Sequence, residues 1–141
     1  MNHRSKRFRA QRTGATAVEF AIVAPLLFVF VLGIIDFSRA NIIRNTAENA
    51  CYEGARAGIV PGSTADKIKT AVAEMLSDVR ITNSVVTVTP AVLEETTPNV
   101  MVTIEVPLSK NLYASSPLLS SMTIRRSCTL SRENFAIEQV E

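Results

Sequence analysis

The chain opens on a polar, basic stretch and turns apolar at Ala15, staying so to Ile35 with one charge, Glu19, in 21 residues. As a helix rising about 1.5 Å per residue, that run reaches about 31 Å, one hydrocarbon thickness. From Phe20 to Ile35 it holds no charge and includes Pro25 and Gly33. Residues 36–58 contain no proline and put Ala40, Ile43, Ala47, Ala50, Gly54 and Ala57 at three-to-four spacing. Such a stripe of small residues lets a neighbouring helix or sheet approach closely. Arg39, Arg44, Glu48, Glu53 and Arg56 mostly fall elsewhere around the helix. The pattern predicts one long helix, half membrane-embedded and half amphipathic, ending near Gly58 at a Pro61-Gly62 turn.

A second helix is expected after Ser63, the candidate N-cap, with Asp66 at the capping-box position. Ala65, Ile68, Val72, Met75/Leu76 and Val79 recur on one face, away from Lys67, Lys69, Glu74 and Asp78. The period then changes to two. Residues 84–89 and 100–106 are rich in β-branched residues, and Val100, Val102, Ile104 and Val106 alternate with Met101, Thr103 and Glu105. A third run over 122–131 puts Met122, Ile124, Cys128 and Leu130 on one face, with Arg126 interrupting the alternation. The link between the last two runs reads as irregular, with an apolar patch at Leu118-Leu119. Three strands are too few to stand alone, so they are expected to pack on the amphipathic half of the long helix. The fold class is α+β: a long N-terminal transmembrane helix, a second helix, then a small antiparallel sheet of about three strands.

Charge sharpens the apolar run into a membrane anchor. Arg4, Lys6, Arg7, Arg9 and Arg12 precede Gly14 with no acid among them, whereas from Ala15 onward ten basic residues face all thirteen acids. A basic cluster abutting an apolar run is a topology signal, which puts the N-terminus in the cytoplasm and everything after Asp36 across the membrane. The mildly acidic body argues against nucleic acid as a partner. A cleaved secretory signal fits less well: the run is long for that role, and the small-x-small site beyond it, Ser38-Arg39-Ala40, has a bulky charge in its middle. The expected organisation is a leader over 1–14, a transmembrane helix over 15–35 and an extracytoplasmic domain over 36–141.

Two cysteines, Cys51 and Cys128, both follow the anchor. In an oxidising compartment they can bridge helix to sheet, closing a loop whose constraint is worth roughly 4 kcal/mol in the chain-entropy model. Two buried free thiols too far apart to bridge are the alternative. Enzymatic signals are close to absent. The one histidine, His3, sits in the tail, so no Ser-His or Cys-His pair can form in the body. The glycines, at 14, 33, 54, 58 and 62, form no phosphate-cradling loop, and no metal-ligand spacing occurs. Glu94-Glu95, beside Thr96-Thr97, read as a solvated turn rather than an acid–base pair. No cofactor is expected, and the chain does not read as an enzyme.

Gly14 at the membrane edge, with Glu19-Phe20 opening the uncharged run, resembles the processing site of type IV prepilins. The wider pattern "GATAVEFAIVAPLLFVFVLGIIDFSRA", followed by "NACYEGARAG", is similar to the TadE-like family, pseudopilins (minor pilins) of the tight-adherence, Flp or type IVc pilus. The motif positions are Gly14, Glu19-Phe20, Pro25, Gly33, Asp36-Phe37, Arg39 and Gly54-Ala55-Arg56, with a less specific closing Arg132-Glu133. The resemblance implies a pilin-like fold and cleavage between Gly14 and Ala15 by a prepilin peptidase. It implies a single-pass inner-membrane protein whose partners are other pilins and tight-adherence assembly proteins. It also implies that Glu19, with Phe20, takes part in subunit pairing: the cut would free an α-amine on Ala15 one turn from that carboxylate, and in low dielectric each charge alone is costly. Pro25 removes one helical hydrogen bond and is the expected kink. A TadF-like sibling would share this site, and a TadG-like protein would carry a much longer C-terminal domain. Two other classes stand beside this reading: a signal-anchored extracytoplasmic binding module, and a membrane-tethered enzyme that the missing catalytic groups disfavour.

Overall fold

The computed structural model describes residues 4–94, 97–114 and 117–131, without the side chains of residues 4–13, 117 and 118. The basic leader's side chains, His3, Glu95, Thr96, the side chain of Leu118 and the closing Arg132-Glu133 therefore lie outside the described residues. Helix α1 covers Arg4–Gly58, with Pro25 inside it. It is followed by α2, Ala65–Asp78, then strands β1, Val85–Thr89, and β2, Asn99–Pro107. A 3₁₀ turn over Leu108–Lys110, a short α3, Pro117–Ser120, and strand β3, Thr123–Ser131, complete the order. The α+β architecture expected from the sequence is the one observed.

The chain divides into two units, residues 1–35 and 36–141. In the first, the side chains from Gly14 to Ile35 are exposed apart from the half-buried Ala24. This is one helix long and apolar enough to cross a membrane, with none of its most apolar window buried by the protein. Large apolar side chains such as Phe20, Phe28 and Phe30 point to the surroundings. Such a surface suits lipid and fits a single-pass anchor.

In the second unit the sheet is antiparallel in the order β1-β2-β3. Central β2 buries Val100, Val102, Ile104 and Val106 completely on its inner face. Burying each such side chain is worth about 1.5–3 kcal/mol, an upper estimate that makes this row the spine of the core. Against it pack Ile43, Ala47, Ala50, Cys51 and Ala55 of α1 and Ile68, Val72 and Leu76 of α2. The small residues are there because the elements meet closely: a Cβ added at Gly54 would stand 2.6 Å from Val72 Cγ2, and one at Gly58 would stand 2.7 Å from Val100 Cγ1. The buried stripe turns slightly from the expected one, since Ala57 is exposed and Gly58 takes the inner position.

Three other expectations are corrected. The N-cap of α2 is Thr64, one residue after Ser63, and its side chain accepts from the backbone N–H of Lys67 at 3.4 Å. The link between β2 and β3 is not wholly irregular, since it holds the 3₁₀ turn and α3. Arg126 does not break the β3 alternation: it takes an inward position with Ile124, Cys128 and Leu130, all half-buried, and stands 3.6 Å from Glu48 on α1. On the outer face Arg125 and Glu105 are register partners, 3.2 Å apart, and the hydroxyls of Thr103 and Ser127 are hydrogen-bonded at 3.1 Å.

Candidate functional site

The candidate processing segment occupies the first unit. Gly14, Ala15, Glu19 and Phe20 lie within α1 and are exposed. Glu19 lies four positions after Ala15, about one turn or 6 Å along the axis. No neighbouring atom comes within 4 Å of where a Cβ at Gly14 would stand. Glycine in a helix interior costs about 1 kcal/mol relative to alanine, and close packing does not explain it at this position. Gly54 and Gly58, by contrast, are required by close approach. Pro25 lies inside the assigned helix, which continues on both sides of it.

At the start of the second unit the chain builds a buried polar cluster that the hydrophobic pattern does not announce. Asp36 is fully buried and accepts from the backbone N–H of Tyr113 at 3.0 Å and of Ala114 at 2.9 Å. One turn on, Arg39 is also buried and donates to three carbonyls: Asn111 from Nε at 3.2 Å, and Val79 and Arg80 from Nη2 at 2.8 and 3.0 Å. Its guanidinium lies 5.4 Å from the ring centroid of Tyr113, a cation–π distance. Asn111 completes the cluster. Its Oδ1 accepts from the Thr82 N–H, and its Nδ2 donates to the carbonyls of Thr82 and Pro107. Buried polar groups are costly unless satisfied, and a planar five-donor fork suits several carbonyls at once. Two side chains of α1 thus fasten the loop after α2 and the loop after β2 to one stretch of helix.

The two cysteines are brought together. Both are free thiols. Cys51 donates to the carbonyl of Val102 at 3.0 Å, and Val102 is the register partner of Cys128. Burial first, then the neighbouring Cys128, push the Cys51 thiol from 9.0 up to about 12, with Glu48 adding to the rise. Of the expected site residues, those from Gly14 to Pro25 share one helix and the cysteines share the core. Asp36 and Arg39 belong to the motif quoted from the sequence, but nothing in the pattern assigns them a structural task, and Asn111 and Tyr113 carry no sequence signal. The available hint is a pair of opposite charges three residues apart, directly after an uncharged run.

Asp36 and Arg39, like Gly14 to Pro25, lie where the chain is similar to a known family. Residues 14–56 match the family model described as TadE-like protein. The match begins at Gly14, takes in Asp36 and Arg39, and ends within the packed half of α1. It is consistent with a TadE-like protein, although it covers under a third of the chain. At family level it supports a minor pilin associated with the tight-adherence pilus, in a family that is non-enzymatic in general. No curated protein and no solved structure matches the chain.

Proposed function

We propose that this protein is a minor pilin, or pseudopilin, that takes part in assembly of a tight-adherence (Flp, type IVc) pilus. A prepilin peptidase cuts between Gly14 and Ala15 on the cytoplasmic side of the inner membrane. The mature chain then begins at Ala15, keeps residues 15–35 in the membrane and holds residues 36–141 on the extracytoplasmic side. The observation that carries this reading is the TadE-like match beginning at Gly14, a glycine for which, as for Gly33, packing within the chain supplies no reason.

Physical chemistry connects the cut to assembly. Removing the leader strips five positive charges from the end of an apolar helix and creates one ammonium group at its new start. Glu19, about one turn along, is exposed on that helix and open to a partner. A carboxylate and an ammonium that meet at the hydrocarbon edge stabilise each other strongly, and that contact selects neighbouring pilins as partners. Phe20, exposed beside it, supplies apolar contact area in the same place. Pro25 loosens the helix locally as it moves from lipid to a protein neighbour.

The test uses a strain lacking the protein, complemented with wild type or with Glu19→Ala. The variant inserts into the membrane as wild type does, and piliation falls. Unchanged piliation removes the pairing role from Glu19, and full piliation without the protein removes the assembly role.

A further inference from the structure

We infer that the end of the body built around Asp36 and Arg39 lies on the membrane surface and engages anionic phospholipid headgroups. The polar cluster gathers four segments at one end of the second unit: residues 36–44 of α1, 79–83 after α2, 107–114 after β2, and 119–124 leading into β3. Arg39 ties the first three together through the carbonyls of Val79, Arg80 and Asn111, and Asp36 holds Tyr113 and Ala114. The fourth joins through the Leu108 N–H, which donates to the Met122 carbonyl at 3.0 Å.

The charge of these segments is one-sided. They expose Arg44, Arg80 and Lys110, and their sole acid, Asp36, is buried. Asp78, the last residue of α2, is the nearest acid in sequence, and the exposed acids of the described body otherwise lie outside these segments. The body from Asp36 onward carries more acid than base, so this end runs against the sign of the domain that holds it.

The same segments expose apolar surface. Phe37 is 68% exposed, Tyr113 71% and Met122 54%. An open cleft of about 340 Å³ lies between Phe37 and Met122, lined also by Leu108, Leu119 and Ile124, with Arg44 among its walls. Aromatic rings with a polar tip, and cations on long apolar stems, are the side chains that partition to the headgroup layer. Continuity in the chain names the occupant: the apolar run ends at Ile35, and Phe37 follows two residues later. A bilayer that holds residues 15–35 is therefore within reach of this surface, and anionic lipid complements its charge.

The inference rests on residues 15–35 spanning a membrane, and the experiment separates the two claims. The chain has no tryptophan, so each single substitution is a clean fluorescent reporter. Full-length Phe30→Trp, Phe37→Trp, Tyr113→Trp and Tyr52→Trp are reconstituted in vesicles of phosphatidylcholine with about a quarter phosphatidylglycerol, with and without lipid brominated near the headgroup or deep in the acyl chain. Tyr52, half exposed and about 22 Å along the helix from Phe37, serves as the control. Quenching at position 30 by the deep bromines establishes the span. Headgroup-level bromines then quench positions 37 and 113 at least about twofold more than position 52. The excess at 113 falls by about half or more without phosphatidylglycerol, or when Arg44→Gln, Arg80→Gln and Lys110→Gln are combined with Tyr113→Trp. Quenching at 30 with none at 113, equal quenching at 113 and 52, or no dependence on phosphatidylglycerol overturns the inference. So does a blue shift at 113 that follows protein density instead of brominated lipid, which would put a second copy on this surface. No quenching at 30 overturns the membrane span itself.

Discussion

The carboxylate of Asp36 accepts a hydrogen bond from the backbone N–H of Tyr113 at 3.0 Å, joining positions 77 residues apart. This bond and its neighbour to Ala114 fix the loop after β2 to the first turn of the body, where the apolar run has just ended. Replacing Asp36 by alanine leaves the part-buried N–H groups of Tyr113 and Ala114 without that acceptor and is expected to cost about 1–3 kcal/mol. Asp36→Asn keeps one acceptor oxygen and is expected to cost about half as much. Denaturant unfolding of the full chain in mild detergent measures both, and an unchanged midpoint for Asp36→Ala would contradict the account.

Arg39 is expected to resist the conservative exchange. A lysine places one ammonium where the guanidinium reaches the carbonyls of Asn111, Val79 and Arg80 from two nitrogens. Arg39→Lys should cost about 1–3 kcal/mol in the same unfolding experiment, with added exchange at the backbone amides of residues 79–82 and 111–114 by hydrogen–deuterium mass spectrometry. Wild-type protection in those loops would show that they are held by something else.

The glycines divide by position. Gly54→Ala puts a methyl 2.6 Å from Val72 Cγ2 and should destabilise the body by about 1–3 kcal/mol. Gly33→Ala meets nothing within 4 Å and should leave unfolding of the body unchanged. Equal effects at the two positions would contradict the close approach of α1 and α2.

The Cys51 thiol gives a pH dependence with a definite sign. Its folded value, about 12, lies above the ordinary 9.0, so from pH 9 upward the unfolded state loses this proton first and stability falls. Below pH 9 both states hold the proton and the dependence vanishes. Between pH 8 and pH 10, under reducing conditions, wild type should lose about 1 kcal/mol more than Cys51→Ala, the comparison removing tyrosine and lysine titration. Equal losses would show that the thiol ionises freely in the folded protein.

Much of the fold could be read from local pattern because local pattern is what forms it. The alternation of Val100, Val102, Ile104 and Val106 is the inner row of β2, and the Ala65–Leu76 face of α2 is the face that is buried. The N-cap fell one residue from Ser63 because adjacent Ser63 and Thr64 are both competent caps and the geometry of the preceding turn decides between them. Arg126 reads as an interruption because alternation records polarity, whereas the folded chain sets it inward 3.6 Å from Glu48, a neighbour far away in sequence. The Asp36–Arg39 cluster was illegible for the same reason. Its partners are backbone groups 40 to 78 residues distant, and a carbonyl has no letter in a sequence. The candidate processing segment is the reverse case: Gly14 and Glu19 stand out by residue type and place at the head of the apolar run, and the packing of the chain adds nothing to explain them.

The central claim is that Gly14-Ala15 is cut, and the mass of the mature protein tests it most directly. The full chain is expressed with and without its prepilin peptidase, extracted from membranes and measured intact. The account predicts a chain beginning at Ala15 when the peptidase is present and an uncut leader when it is absent. Because Gly14→Ala adds a methyl to open space, it should leave insertion and folding unchanged while abolishing the cut. A leader retained in the presence of the peptidase, or a chain beginning at Asn41 as after an ordinary secretory cut, would contradict it.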